Sequence, residues 1–137
     1  MTPPSSFASV WLKQARNDLQ FARAGLEDGF FAQACFLAQQ AAEKAAKAVV
    51  LSRNQSFPFT HSLTELCRTL GINGKLLQAA AVLDLYYVAG RYPSGAGSLA
   101  PYELLTREQA VEALSVAARF LKVAAAALAP KRRRRRR

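Results

Sequence analysis

The sequence predicts an all-α fold: a bundle of two long antiparallel helix pairs with a short helix inserted. Three observations predict it. Hydrophobic residues make up 51% of the 137 positions, and alanine dominates them, which suits closely packed helices. Apolar residues recur three or four positions apart over long stretches. β-branched residues never gather into alternating runs, so no stretch reads as a strand. The length fits one domain with a continuous core.

Ser5 or Ser6 can cap a first helix reaching about Glu27, in which Phe7, Val10, Trp11, Ala15, Leu19, Ala22 and Leu26 form one apolar stripe. Gly29 in "EDGFF" is placed to terminate it. A second helix, roughly 30–53, carries Phe31, Ala34, Cys35, Ala38, Ala41, Ala42, Ala45 and Val49 on a broad small-residue face, so it is expected at the centre of the bundle. Its other face, with Gln33, Gln40, Glu43, Lys44 and Lys47, reads either as a solvated face with local ion pairs or as a ligand face. Pro58 keeps the connection "SRNQSFPFTHS" from continuing the helix. Ser62 followed by Glu65 marks a capping box for a short third helix, 62–70, and "GINGK" breaks it. A fourth helix is expected over about 75–89, and a fifth over about 106–129, opened by Thr106 with Gln109. Residues 1–129 thus form one helical domain, with no internal repeat.

The net charge is +10, but the ending "PKRRRRRR" holds seven of the nineteen basic residues. Residues 1–130 carry 12 Lys/Arg against 9 Asp/Glu, a net charge of +3. The body is mildly basic, and 130–137 reads as a disordered basic tail that either holds anionic partners or has no dedicated role. Cys35, Cys67 and the single histidine, His61, cannot supply a four-ligand zinc site, so no metal or other cofactor is expected. The two cysteines read as buried, reduced thiols. The N-terminus lacks the pattern of a secretory leader, and Glu112, Arg119 and Lys122 interrupt the longest apolar segment, so no membrane span is expected. The expected location is cytoplasmic.

Chemistry centres on "YYVAGRYPSGAGSLAPY", residues 86–102. Asp84, Tyr87 and Arg91 are spaced so that they share one face if the helix runs one turn further. Asp84 would then orient the guanidinium and Tyr87 offer it an aromatic face, giving either a preorganised phosphate fork or a satisfied ion pair. "SGAGS" lacks the strand and Lys-Ser/Thr ending of a phosphate-binding loop and reads as a flexible connection. His61 reads as a packing or capping residue, or as a lone acid/base if the fold brings it to a bound phosphate.

"ARNDLQFARAGLEDGFFAQACFLAQQAAEKAAKAVV", then "THSLTEL", then "LDLYYVAGRYP", in that order and spacing, resembles the HEPN domain family over roughly residues 8–128. The resemblance implies an up-down four-helix bundle with an additional short helix, commonly a homodimer. It also implies a role beside a minimal nucleotidyltransferase in toxin–antitoxin-like pairs, with nucleotide or RNA as ligand. Many relatives are metal-independent ribonucleases carrying an Arg-x4–6-His motif. Here that motif fails: counted from Arg91, the histidine positions hold Ala96, Gly97 and Ser98, and Arg53 precedes His61 by eight residues. The expectation is therefore a nucleotide- or RNA-binding module in which Arg91 grips phosphate, Asp84 orients it, Tyr87 or Tyr92 stacks, and Lys44 and Lys47 form a charged rim. The rival readings are a ribonuclease using His61 and Arg91, and a structural dimerisation protein without ligand.

Overall fold

A computed structural model describes residues 4–93 and 98–130; the expected basic tail and most of the "SGAGS" loop lie outside the described residues. Six helices follow one another: α1 Pro4–Glu27, α2 Phe31–Ser52, α3 Leu63–Leu70, α4 Gly74–Ala89, α5 Pro101–Leu104 and α6 Arg107–Leu128. Among the described residues there is no strand, and no helix is long and apolar enough to cross a membrane. The fold is all-helical, as the composition and spacing imply. The four-residue α5 has no counterpart in the sequence reading; Pro101 at its first turn and Glu103 folding back onto the Ala100 N–H start it locally.

Gly29 closes α1 with φ of +86°, and Gly71 closes α3 with φ of +75°, backbone angles that favour a residue without Cβ. At the start of α3 the Ser62 hydroxyl accepts the Glu65 N–H at 3.1 Å, while the Glu65 carboxylate takes the Thr60 hydroxyl instead of closing the expected box. Thr106 and Gln109 form the full reciprocal box at α6. The side chains of Ser5 and Ser6, expected to cap α1, lie outside the described residues.

α2 is the central helix. Fifteen of its 22 residues are buried, most of them alanine, so neighbouring backbones approach closely. Lys44 pairs with Asp18 and Lys47 lies over Trp11, which sets α1 antiparallel to it. Gln39 meets Asp84 and Phe36 meets Tyr87, which sets α4 antiparallel on the other side. α6 closes the core with Ala110, Ala113, Leu114, Ala117, Phe120 and Ala124.

The small-residue stripe also dictates Gly90. Its φ of −78° is open to any residue. A Cβ there would sit 3.0 Å from the Phe36 Cβ and 3.1 Å from the Ala32 carbonyl oxygen. Glycine is needed where α4 presses on α2, and this crossing delivers the residues that follow it, Arg91 and Tyr92, to the Phe36 side of α2.

Candidate functional site

Two groups of polar side chains lie along one side of α2, and they behave differently. The first is closed on itself. Asp84, half-buried on α4, accepts the Leu63 N–H at 2.8 Å and the Thr64 N–H at 2.9 Å, the first backbone donors of α3. It also takes the Thr64 hydroxyl at 2.8 Å, the Ser62 hydroxyl at 3.3 Å and the Gln39 amide at 3.3 Å. A carboxylate at a helix N-terminus satisfies orphan donors and meets the positive end of the helix dipole. The expected pairing of Asp84 with Arg91 is therefore corrected: α4 ends at Ala89, two residues before Arg91, and the carboxylate is already occupied by the start of α3.

Gln39, fully buried, ties this group together by donating to the His61 carbonyl at 2.9 Å and accepting from Gln40 at 2.8 Å. Beside it, Glu43 is 3% exposed and receives Lys47 at 3.1 Å through Oε2 and the His61 Nδ1 at 3.1 Å through Oε1. Lys47, expected on a charged rim or a solvated face, is instead 4% exposed, with its ammonium 5.7 Å from the Trp11 ring centre and 5.5 Å from that of Phe57. Burial against aromatic rings is tolerable only because Glu43 neutralises it. Lys44, the other expected rim cation, is engaged by Asp18 on α1. Among the described residues every buried side-chain nitrogen and oxygen has a partner.

The second group is open. The Arg91 guanidinium carbon lies 4.4 Å from the centre of the Tyr87 ring, 4.5 Å from that of Phe36 and 5.1 Å from that of Tyr92. Its Nε donates to the Tyr87 carbonyl at 2.7 Å, and its terminal nitrogens make no hydrogen bond among the described residues. Arg91 and Tyr92 are exposed. A recess of about 410 Å³, lined by Phe21, Gln33, Phe36, Leu37, Gly90 and Arg91, opens beside the guanidinium, within the size range of small-ligand sites. The imidazole of His61, with a largely exposed side chain, stacks on Tyr87 at 4.8 Å and 19°. Arg91 and His61, thirty positions apart in sequence, thus both pack on the Tyr87 ring.

Both thiols are buried, as expected. Burial pushes Cys35 from 9.0 to about 11, and burial with the nearby Asp84 charge does the same to Cys67. Burial also raises the Tyr86 hydroxyl, assisted by Cys35 and Glu112. Among the described residues no three His, Cys, Asp or Glu side chains gather as a metal site would require.

A model of the HEPN domain matches residues 8–128. The chain belongs to the HEPN domain family. Solved structures agree. The crystal structure of TT1696 from Thermus thermophilus is 38% identical, with a TM-score of 0.78 over 88% of this chain and 97% of that one. ST0689, an archaeal HEPN homologue, is 33% identical, with a TM-score of 0.74 over 89% and 98%. An HEPN domain protein from Thermotoga maritima is 30% identical, with a TM-score of 0.65 over 83% and 92%. No curated protein matches. In this HEPN chain the expected Arg91, Tyr87 and Tyr92 do lie together, whereas the sequence did not point to Gln39 or to the burial of Glu43. An i,i+4 Glu–Lys pair and a lone glutamine inside an alanine-rich helix were the available signals.

Proposed function

We propose that this HEPN chain is a nucleotide- or RNA-binding module whose phosphate ligand is Arg91. One observation carries the reading: a guanidinium fixed through Nε and flanked by three rings, with its terminal donors directed to no protein group among the described residues. Such a fork is preorganised for the paired oxygens of a phosphate. Tyr92, 58% exposed, is placed to stack on a base. The family resemblance adds a homodimer and a minimal nucleotidyltransferase partner in a toxin–antitoxin-like pair. The exposed Val82, Leu85 and Val88 of α4 support an association face.

Binding of labelled nucleotides and short RNA to the parent chain and to Arg91→Ala, each with and without residues 131–137, tests the reading. Loss of a charge-assisted contact should weaken binding roughly 10- to 100-fold in Arg91→Ala, whether or not the arginine run is present. Equal binding by parent and variant overturns it.

The ribonuclease reading gains from one observation: Glu43 holds Nδ1 of His61, whose largely exposed ring stacks on the same Tyr87 that Arg91 packs against. A histidine oriented this way can take a proton from a ribose 2′-hydroxyl as that oxygen attacks phosphorus and the 5′-oxygen leaves. Cleavage of varied RNAs by the parent and its loss in His61→Ala would establish this second reading; intact RNA with the parent removes it.

A further inference from the structure

The ring contacts among the described residues fall into two runs along one side of α2. Arg91 lies on Phe36; Tyr87 follows; His61 stacks on Tyr87 and touches Glu43. One turn further along α2, Lys47 sits beneath Trp11 and Phe57, with Phe59 against Phe57 at 5.3 Å and Phe7 against Trp11 at 6.4 Å. Residues 57–61 are the non-helical link between the two runs. From Phe36 to Lys47 the helix rises roughly 16 Å, the length of several stacked nucleotides at about 3.4 Å each.

Phe59 stands out in this row. It is 95% exposed, the most exposed large apolar side chain among the described residues, and its ring is backed by Phe57, which itself packs on Trp11 at 5.0 Å. Burying such a ring favours the folded state, yet the fold leaves it in water, two residues before the histidine that stacks on Tyr87. An exposed aromatic ring two residues from His61, with an open guanidinium in the neighbouring run, matches the chemistry of single-stranded nucleic acid, whose bases stack while its phosphates pair with cations.

We propose that Phe59, supported by Phe57 and Trp11, is a base-stacking subsite for single-stranded nucleic acid whose phosphate is held at Arg91. The ligand of this face is then an oligonucleotide rather than a mononucleotide. The proposal rests on the phosphate role of Arg91 and adds to it a second, uncharged contact.

The test uses the full chain, in which the arginine run contributes equally to parent and variants. Binding of oligouridylate and oligothymidylate of about eight nucleotides, and of uridine 5′-monophosphate, is measured at several salt concentrations for the parent, Phe59→Ala, Phe59→Trp and Arg91→Ala. Phe59→Ala should lower oligonucleotide affinity roughly 5- to 100-fold, leave the slope of affinity against salt unchanged, and leave mononucleotide binding intact; Phe59→Trp should restore affinity. Arg91→Ala should weaken both ligands and reduce the salt slope by about 1. The two oligonucleotides show whether the 2′-hydroxyl is read. Oligonucleotide binding unaffected by Phe59→Ala overturns the subsite while Arg91-dependent mononucleotide binding keeps the phosphate reading alive. Equal loss of mononucleotide in Phe59→Ala also overturns it, because the ring then belongs to the phosphate site. A changed oligomer mass with unchanged binding assigns Phe59 to a protein contact and overturns it as well. Absence of any Arg91-dependent binding sinks both.

Discussion

Asp84 and Arg91 lie seven residues apart, a spacing that in an unbroken helix puts two side chains on one face, yet they serve opposite ends. Asp84 takes five hydrogen bonds and holds the start of α3 against α4. Among the described residues the Arg91 side chain makes one hydrogen bond, to a carbonyl of its own turn, and lies across three rings. The first region is saturated by the protein; the second leaves donors unclaimed. A charged residue therefore shows its role less by its spacing than by how many of its bonding positions the fold has already filled.

The sharpest way to break that contrast is at Glu43. Removing it in Glu43→Ala strands the buried Lys47 ammonium and should cost about 3–5 kcal/mol in denaturant unfolding. The double variant Glu43→Leu/Lys47→Met should recover most of it, because the remaining charge is gone. Next comes Asp84→Ala, which orphans two backbone donors at the α3 N-terminus and should cost about 2–3 kcal/mol. A variant as stable as the parent would remove Asp84 from the architectural side.

A smaller effect is expected at alkaline pH. Cys35 and Cys67 have folded values near 11 against 9.0 when free, so the native state keeps protons that the unfolded chain releases. Their contribution is complete below pH 9 and is lost as pH rises toward 11, with a slope of roughly 1 kcal/mol per pH unit for each thiol. Cys35→Ala and Cys67→Ala should flatten that slope in unfolding measurements, whatever they do to stability at neutral pH. The smallest effect belongs to Arg91→Ala, expected within about 0.5 kcal/mol of the parent. A large loss of stability there would make Arg91 a structural residue and collapse the comparison.

Much of the fold was legible in the residues. The caps at Ser62 and Thr106, the terminator Gly29 and the alanine face of α2 are local patterns, and each produced the element it implied. The recess beside Arg91 was legible only in part. Arg91 and Tyr87 are four apart, so their contact follows from local geometry. Nothing local could show that His61 would stack on Tyr87, because the α2–α3 connection carries it there.

The glycine before Arg91 illustrates the same division. It directly follows the helix expected over about 75–89, but its necessity lies in the 3.1 Å approach to the Ala32 carbonyl oxygen, a fact of helix crossing. Lys47 is the reverse case: its place beside polar neighbours suggested solvent, and tertiary packing of Trp11 and Phe57 buried it.

The sequence by itself determined which segments are helical, where they stop, and that α2 is small enough to lie at the centre, because periodicity, caps and side-chain volume act within a few residues. Only the tertiary structure decided which charges are spent on the fold and which remain available. That depends on the donors and rings other helices bring within hydrogen-bonding or stacking distance, and no spacing along one chain segment contains that information.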